Sequence, residues 1–113
     1  MAYSTTIMDA ALRAIAEPRR RQILALVRAD ELSAGEIAAQ FDVTWPAISQ
    51  HLNVLKDAGL VNERRAGTRR LYRARPEGFE ELVTFLEGFW DERLAILKRE
   101  AELDEAAGDA ADR

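Results

Sequence analysis

The 113-residue sequence contains no cysteine and only one histidine, His51. The lack of cysteine excludes disulfide bonds, thiolate metal ligands, thiol-based redox sensing and cysteine nucleophiles. With a single histidine, a metal ion would depend on carboxylate oxygens, which suit hard cations at dedicated oxygen sites. We therefore expect neither a metal ion nor another cofactor.

Long apolar runs are also missing from the sequence. No stretch of about 18 apolar residues occurs, and no apolar block follows a basic segment near residue 1. We therefore expect a cytoplasmic protein that does not enter a membrane. The sequence also shows no nucleophile paired with a base and no glycine loop of the phosphate-binding kind, so we do not expect an enzyme.

The length and the 48% share of hydrophobic residues predict a single small globular domain. The last ten residues consist mainly of Ala, Asp and Glu, a composition that favours a frayed end. We therefore predict one domain at residues 1–103, followed by an acidic, disordered tail at residues 104–113.

The net charge of −4 is distributed unevenly along the chain. Residues 1–75 carry 12 Lys and Arg against 8 Asp and Glu, a balance of +4, whereas residues 76–113 carry 4 against 12, a balance of −8. Residues 64–75 contain six arginines and no acid. Such a local positive charge is typical of a surface that binds nucleic acid.

The segment 33–58 predicts two helices joined by a tight turn. Ser33 and Glu36 match a capping box, so a short helix follows Ser33 and ends near Gln40. A turn follows, and Pro46 opens the next helix, which continues until Gly59. This arrangement is typical of a helix-turn-helix. Two further helices precede it, one around Met8–Ile15 and one from Pro18 to about Arg28.

The helix that begins near Pro46 has two different sides. At about 100° per residue, Ile48, Leu52 and Leu55 form one stripe that faces the core. The opposite arc is mostly uncharged and polar, and its amide and hydroxyl groups match the hydrogen-bonding edges of bases. A solvated helix surface is the alternative interpretation. The arc consists of Trp45, Pro46, Ser49, Gln50, Asn53 and Lys56.

His51 lies at the margin between these two sides. General base chemistry would need a partner and a pocket that nothing in the sequence suggests. A half-buried structural hydrogen bond and a phosphate contact both remain open for this side chain.

After Gly59 the pattern changes to two strands, Leu60–Arg65 and Arg69–Ala74. Gly67, in the short loop between them, can adopt the positive φ of a tight hairpin. The arginines nearest the loop are Arg64, Arg65, Arg69 and Arg70. They predict a surface that follows a DNA backbone and reaches the minor groove, although arginine on an edge strand also prevents aggregation. Arg19, Arg20 and Arg21, near the start of the second helix, are either a further phosphate contact or plain surface.

A long helix from Pro76 carries apolar residues at spacings of three and four for more than six turns. Its aromatic residues widen the apolar face beyond what a single docking side needs. This width predicts pairing with a second copy of the chain, unless Phe85, Phe89 and Trp90 fill the monomer core.

Three motifs occur in order: ALRAIAEPRRRQIL, SAGEIAAQFDVTWPAISQHLNVLKDAGLV and GTRRLYRA. Across roughly residues 8–100 they resemble the ArsR/SmtB-like family of winged-helix repressors. The expected fold is mainly α with a two-stranded β-hairpin, a winged helix-turn-helix in the order α-α-α-α-β-β-α. The resemblance implies a homodimer, paired through its first and last helices, that binds an inverted-repeat operator in double-stranded DNA near its own promoter and is released by a signal.

The resemblance assigns the DNA-facing start of the recognition helix to Thr44, Trp45, Ser49, Gln50 and His51, and the wing turn to Gly67. Pro46 and Asn53 join this set from the polar arc, and the four loop arginines join it from the wing. A polar residue, often glutamine, is usual in the family at the position of Trp45. The dimer interface is expected at Met8, Leu12, Leu82, Phe85, Leu86, Phe89 and Trp90.

The metal sites of the family are missing, because the third helix has no cysteine pair and the last helix has no histidine. The chain therefore resembles the metal-independent branch, whose small-molecule or protein signals are varied or unknown. The alternative function is a winged-helix protein-interaction module, in which Trp45 and the acidic last helix bind another protein without specific DNA binding.

Overall fold

In a computed structural model, which describes residues 5–111, five α-helices and a small sheet follow one another along the chain. The elements are α1 (Thr5–Ala16), α2 (Pro18–Ala29), β1 (Leu32–Ser33), α3 (Ala34–Ala39), α4 (Trp45–Asp57), β2 (Val61–Ala66), β3 (Arg69–Ala74), a 3-10 helix (Pro76–Phe79) and α5 (Glu80–Ala111). Two compact units make up this chain, and they divide between Leu82 and Val83. The expected winged helix-turn-helix order is confirmed.

The core of the first unit comes from the inward stripes of its helices. Ile23 and Val27 of α2 lie one turn apart and are fully buried, as their helical spacing predicts. α1 contributes the small side chains of Ala11 and Ala14, which allow it to lie close to its neighbours. Around them pack Ile37, Ile48, Leu52, Leu55, Leu60, Val61 and Tyr72.

The sheet has three antiparallel strands in the order β1-β3-β2, so the predicted two-stranded hairpin of β2 and β3 is present and a short strand that the sequence did not predict, β1, extends it. Leu32 and Ser33 pair with Tyr72 and Leu71 of β3. A two-residue strand is too short to show the alternation by which strands are recognised. Ser33 also caps α3 in the predicted capping box with Glu36, and this helical signal dominates its sequence context.

Two glycines allow the end of α4 and the 3-10 helix to pack closely together. Gly59 ends α4 with a φ of 76°, a conformation that side chains other than glycine adopt with strain. Gly78 packs directly on the backbone of Gly59, so closely that a Cβ at Gly78 would overlap the Gly59 carbonyl. The chain therefore has backbone-to-backbone contact at this point, with no room for a side chain.

The second unit consists of α5 beyond Leu82. Its helix continues to Ala111, whereas the sequence composition predicted disorder from Asp104 onward. The physical reason is that Ala and Glu are strong helix formers. A segment rich in them buries little apolar surface but can still form a helix. The remaining tail residues, 112–113, lie outside the described part of the chain.

Candidate nucleic-acid interface

The recognition helix α4 begins with a well-defined N-terminal cap. The Thr44 hydroxyl accepts a hydrogen bond from the Ala47 amide at 3.4 Å, while Trp45 and Pro46 occupy the first two helical positions. The missing N–H of Pro46 costs no helical hydrogen bond there, because amides in the first helical turn have no partner within the helix. As cap, the Thr44 oxygen acts as an acceptor, and its O–H remains able to donate to a phosphate.

The two sides of α4 separate as their spacing predicts. Ile48, Leu52 and Leu55 are 0% exposed and attach the helix to the core. On the other side Pro46, Gln50 and Asn53 are exposed and Ser49 is half-buried. Together with Trp45 they form the reading arc, a name kept here for Trp45, Pro46, Ser49, Gln50 and Asn53. Their amide and hydroxyl groups can donate to and accept from base edges in a major groove.

Trp45 is 62% exposed, yet its ring has a defined seat. The outer atoms of its six-membered ring lie over Gly35 of α3, where a Cβ would stand 3.5–3.7 Å away. The indole therefore rests on one side against the first helix of the helix-turn-helix. Most of its remaining surface is open to solvent.

The wing consists of β2 and β3, whose register is fixed by pairs from Val61 with Ala74 to Ala66 with Arg69. Gly67 follows Ala66 with a φ of 66°, and Thr68 keeps a negative φ. Positive φ at the first of two loop residues is typical of a type II′ hairpin turn. The predicted hairpin and its glycine turn are confirmed to within one residue at each strand end.

The arginines of the wing have acidic neighbours that the sequence analysis did not anticipate. Arg64 donates two hydrogen bonds to Glu31, at 2.8 and 2.6 Å, and Arg69 forms an ion pair with Glu36. Glu63 lies 3.2 Å from the Lys56 ammonium and 3.6 Å from the Arg70 guanidinium. Within the segment 64–75 no acid occurs, but three carboxylates from outside it neutralise much of its charge.

These contacts change the ionisation of the carboxylates. The hydrogen bond from Arg64 lowers the pKa of Glu31, and the hydrogen bonds from Ser33 lower the pKa of Glu36, in both cases below the ordinary value of 4.5. Burial raises the pKa of Tyr72, and the nearby Glu63 carboxylate raises it further. Glu31 and Glu36 therefore remain negatively charged at neutral pH beside the arginines of the wing.

A cleft of about 370 Å³ separates the start of α4 from the tip of the wing. It combines two aromatic side chains, four hydroxyl groups, one of them on an aromatic ring, and two guanidinium groups on an open surface. This composition suits a polyanionic strand, whose phosphates accept hydrogen bonds from hydroxyl and guanidinium donors. Its lining residues are Ser33, Ala34, Trp45, Ser49, Thr68, Arg69, Arg70 and Tyr72.

The arginine run at the start of α2 joins helices together. Arg20 donates from Nε to the Ala14 carbonyl at 2.6 Å and from Nη2 to the Arg13 carbonyl at 3.1 Å. Arg21 donates from Nη1 to the Ile15 and Ala16 carbonyls. These are the last carbonyls of α1, which have no partner within their own helix. Arg20 and Arg21 therefore cap the end of α1, a role that differs from both the phosphate contact and the plain surface considered from the sequence.

His51 takes part in the same arrangement. Its Nδ1 lies 3.4 Å from Nη1 of Arg20, so it links α4 to α2. Because a guanidinium can only donate, Nδ1 must be the acceptor, and a neutral ring then carries its proton on Nε2. This geometry favours the structural interpretation of His51 over a phosphate contact.

No group of three or more His, Cys, Asp or Glu side chains in the searched part, residues 5–111, is arranged to hold a metal ion. None of the helices between Thr5 and Ala111 combines the length and apolarity that crossing a bilayer requires.

A short helix, a tight turn, a recognition helix with an exposed polar arc and a basic wing together define a winged helix-turn-helix DNA-binding protein. Residues 17–63 match the family described as "Bacterial regulatory protein, arsR family". The HTH-type transcriptional regulator Rv2034 of Mycobacterium tuberculosis is 43% identical over 101 residues, which are 89% of this chain and 92% of that protein.

Two further comparisons agree. The transcriptional repressor SdpR of Bacillus subtilis is 42% identical over 60 residues, 53% of this chain and 67% of that repressor. The structure of an ArsR-like transcriptional regulator from Rhodococcus sp. RHA1 matches with a TM-score of 0.70 and 31% identity, covering 86% of this chain and 92% of that one. The chain belongs to the arsR family of bacterial regulatory proteins and is a DNA-binding transcriptional regulator.

Proposed function

We propose that the chain is a homodimeric repressor that binds an inverted-repeat operator, with α4 in the major groove and the wing against the adjoining backbone. The observation that carries the proposal is the arrangement of α4. Its buried stripe of Ile48, Leu52 and Leu55 leaves the reading arc exposed beside the cations of the wing. The repressor function is supported by the similarity to SdpR, which is named a transcriptional repressor.

In this proposal the reading arc selects the sequence and the wing supplies affinity. Gln50 and Asn53 are long enough to pair with a base edge by two hydrogen bonds, and Ser49 contributes one donor or acceptor. Thr44 and His51 lie at the margin of this surface and have mainly structural roles. Thr44 caps α4, and His51 bonds with Arg20. Arg64, Arg65, Arg69 and Arg70 contact phosphates, with Gly67 providing the turn that brings them to the DNA.

The homodimer is supported by exposed apolar side chains. In α5, Phe89 is 66% exposed and Trp90 is 54% exposed, and the Phe89 ring stacks edge to face on Phe85 at 5.2 Å. Such a face in water favours association with a partner. Leu82 is only 6% exposed and drops out of the expected interface. Met8, Leu12, Phe85, Leu86, Phe89 and Trp90 remain.

A twofold dimer would present two copies of α4 about 34 Å apart, so the operator should contain two half-sites about one helical turn apart. The signal that releases the protein should not be a transition metal, since no cysteine is present and His51 is the only histidine. The acidic tail, residues 104–113, is proposed to remain outside the DNA interface because of its charge.

Selection of bound sequences from random DNA by the purified protein tests this function. We expect an enriched inverted repeat, binding that falls steeply with salt, and repression when the site overlaps a promoter in transcription with purified polymerase. In Gln50→Ala, one base pair of each half-site should lose about 1–3 kcal/mol of discrimination, whereas Gln22→Ala in α2 should leave the selected sequence unchanged. If no sequence is enriched, the chain is instead a protein-interaction module.

The wing is tested separately by reversing its charge. Arg69→Glu together with Arg70→Glu should weaken binding to all DNA alike and should flatten the salt dependence. Equal binding by this variant and the wild type would contradict a role of the wing in DNA binding.

A further inference from the structure

The position of Trp45 is unusual for so large an apolar side chain. It is the first residue of the recognition helix, it is 62% exposed, and it stands on the reading arc one turn before Ser49. Covering the apolar surface of a solvent-exposed indole is energetically favourable. Trp45 lines the same cleft as Thr68, Arg69 and Arg70 of the wing, so its exposed ring forms part of the proposed DNA surface.

The ring is also held in place before any DNA binds. Its outer atoms rest on Gly35, whose missing side chain leaves room for the indole next to the α3 backbone. An aromatic side chain has only two rotatable bonds, so a supported indole loses little conformational freedom on binding. Trp45 therefore presents a preformed apolar surface, whereas Gln50 and Asn53 present adaptable polar groups.

Among the base edges in a major groove, one group is a suitable partner for an apolar side chain. Donors and acceptors cover the edges of all four base pairs, and the thymine C5-methyl is their apolar group. From this match, and resting on the proposed function, we infer that Trp45 determines specificity by packing its indole against a thymine methyl at one position of each half-site. The seat on Gly35 makes Gly35 the positioning residue for this contact.

The experiment compares the wild type with Trp45→Gln in selection from random DNA, followed by affinity measurements on the best site. The wild type should enrich thymine at one position per half-site, and Trp45→Gln should lose that preference while keeping the preferences set by Gln50. Replacing that thymine by uracil removes only the methyl group. It should weaken wild-type binding about fourfold per half-site and leave Trp45→Gln unaffected.

Two substitutions at Gly35 test whether the position of the Trp45 indole matters, in addition to its presence. A Cβ there lies at ordinary contact distance from the indole, so Gly35→Ala should keep the sensitivity to uracil. Gly35→Leu needs the space that the ring occupies, so this variant should lose the sensitivity although Trp45 is intact. Circular dichroism and thermal unfolding of both variants establish that the fold is retained.

The outcomes distinguish the inference from the function on which it rests. If the wild type enriches no sequence, the proposed function fails. If it enriches an operator but binds uracil and thymine equally at every thymine of each half-site, the function stands and the inference is overturned. Equal sensitivity to uracil in the wild type and in Trp45→Gln would also overturn it, because another residue would then contact the methyl group.

Discussion

Glu63→Gln should increase the affinity of the protein for DNA. The Glu63 carboxylate lies between two cations, 3.2 Å from the Lys56 ammonium and 3.6 Å from the Arg70 guanidinium. Arg70 lines the cleft at the wing, and its side chain is 57% exposed. The substitution keeps the size of the side chain and an oxygen that can accept hydrogen bonds, but removes the negative charge.

The magnitude follows from the distances. A phosphate oxygen about 2.8 Å beyond the Arg70 guanidinium would lie about 6–7 Å from the Glu63 carboxylate. At that separation in water, two negative charges repel by about 0.6 kcal/mol, which is roughly a threefold change in affinity per half-site. The two ion pairs are exposed and each stabilises the fold by about 0–1 kcal/mol, so the thermal midpoint should change little.

Fluorescence anisotropy with a labelled operator, from about 50 to 200 mM salt, measures this gain. The gain should be largest at low salt and should shrink as screening increases. Glu77→Gln is the matched control, since it removes the same charge near Gly59, at the other end of α4. Weaker binding by Glu63→Gln at every salt concentration would show that the carboxylate positions Arg70 for DNA, and the reasoning from repulsion would be refuted.

Three further predictions concern the fold and the assembly. Arg20→Lys keeps the charge but loses the fork that reaches Ala14, Arg13 and His51, so denaturant unfolding should show a loss of about 1–3 kcal/mol, whereas the exposed Arg28→Lys should show almost none. Ser33→Ala keeps the backbone N–H of residue 33, which is the largest cause of the lowered Glu36 pKa, but removes the Ser33 hydroxyl, which is the second cause, so the Glu36 pKa measured by NMR should rise only part of the way toward 4.5. Because the folded pKa is the lower one, the stabilisation by Glu36 is present above pH 4.5 and is lost as the pH falls through the folded value; an unchanged acid limb of the stability profile in Ser33→Ala would contradict this account. Phe89→Glu places a charge in the exposed apolar face, so sedimentation should show dissociation of the dimer, whereas Glu87→Gln should leave it paired.

The parts of the site that lie close together in the sequence could be predicted. The start of α4 near Pro46, the buried stripe of Ile48, Leu52 and Leu55, and the turn at Gly67 each depend on a few neighbouring residues and on fixed helical or strand periodicity. The same periodicity assigned the reading arc to the opposite side of α4. Local rules therefore gave the recognition helix and the wing.

The acidic partners of the wing could not be found in the same way. Glu31 and Arg64 are 33 residues apart in sequence, as are Glu36 and Arg69, and the β1–β3 pairing that brings α3 beside the wing rests on two residues. Glu63 was within reach of sequence reasoning. With a two-residue turn at Gly67, the hairpin register places Glu63 opposite Tyr72 and diagonal to Arg70.

The run Arg19, Arg20 and Arg21 shows a different limit. Basic residues at the start of a helix beside a helix-turn-helix fit a phosphate contact, and their charge alone does not distinguish this role from capping. The distinction depends on where α1 ends in space, because the acceptors are its last carbonyls. Arg19 likewise lies over the Phe41 ring at 4.5 Å, a contact that spacing does not suggest.

The bond between Arg20 and His51 has a consequence for engineering. It attaches α4 from the margin, and the core stripe attaches it from the side opposite the reading arc. The side chains at positions 49, 50 and 53 carry no part of this attachment, and position 45 adds only a surface contact with Gly35 of α3. A designer could exchange these four residues as a cassette and retarget the protein to a new operator on an unchanged scaffold. Trp45 is the natural first position to vary, because its seat on Gly35 accepts smaller side chains without disturbing any buried group.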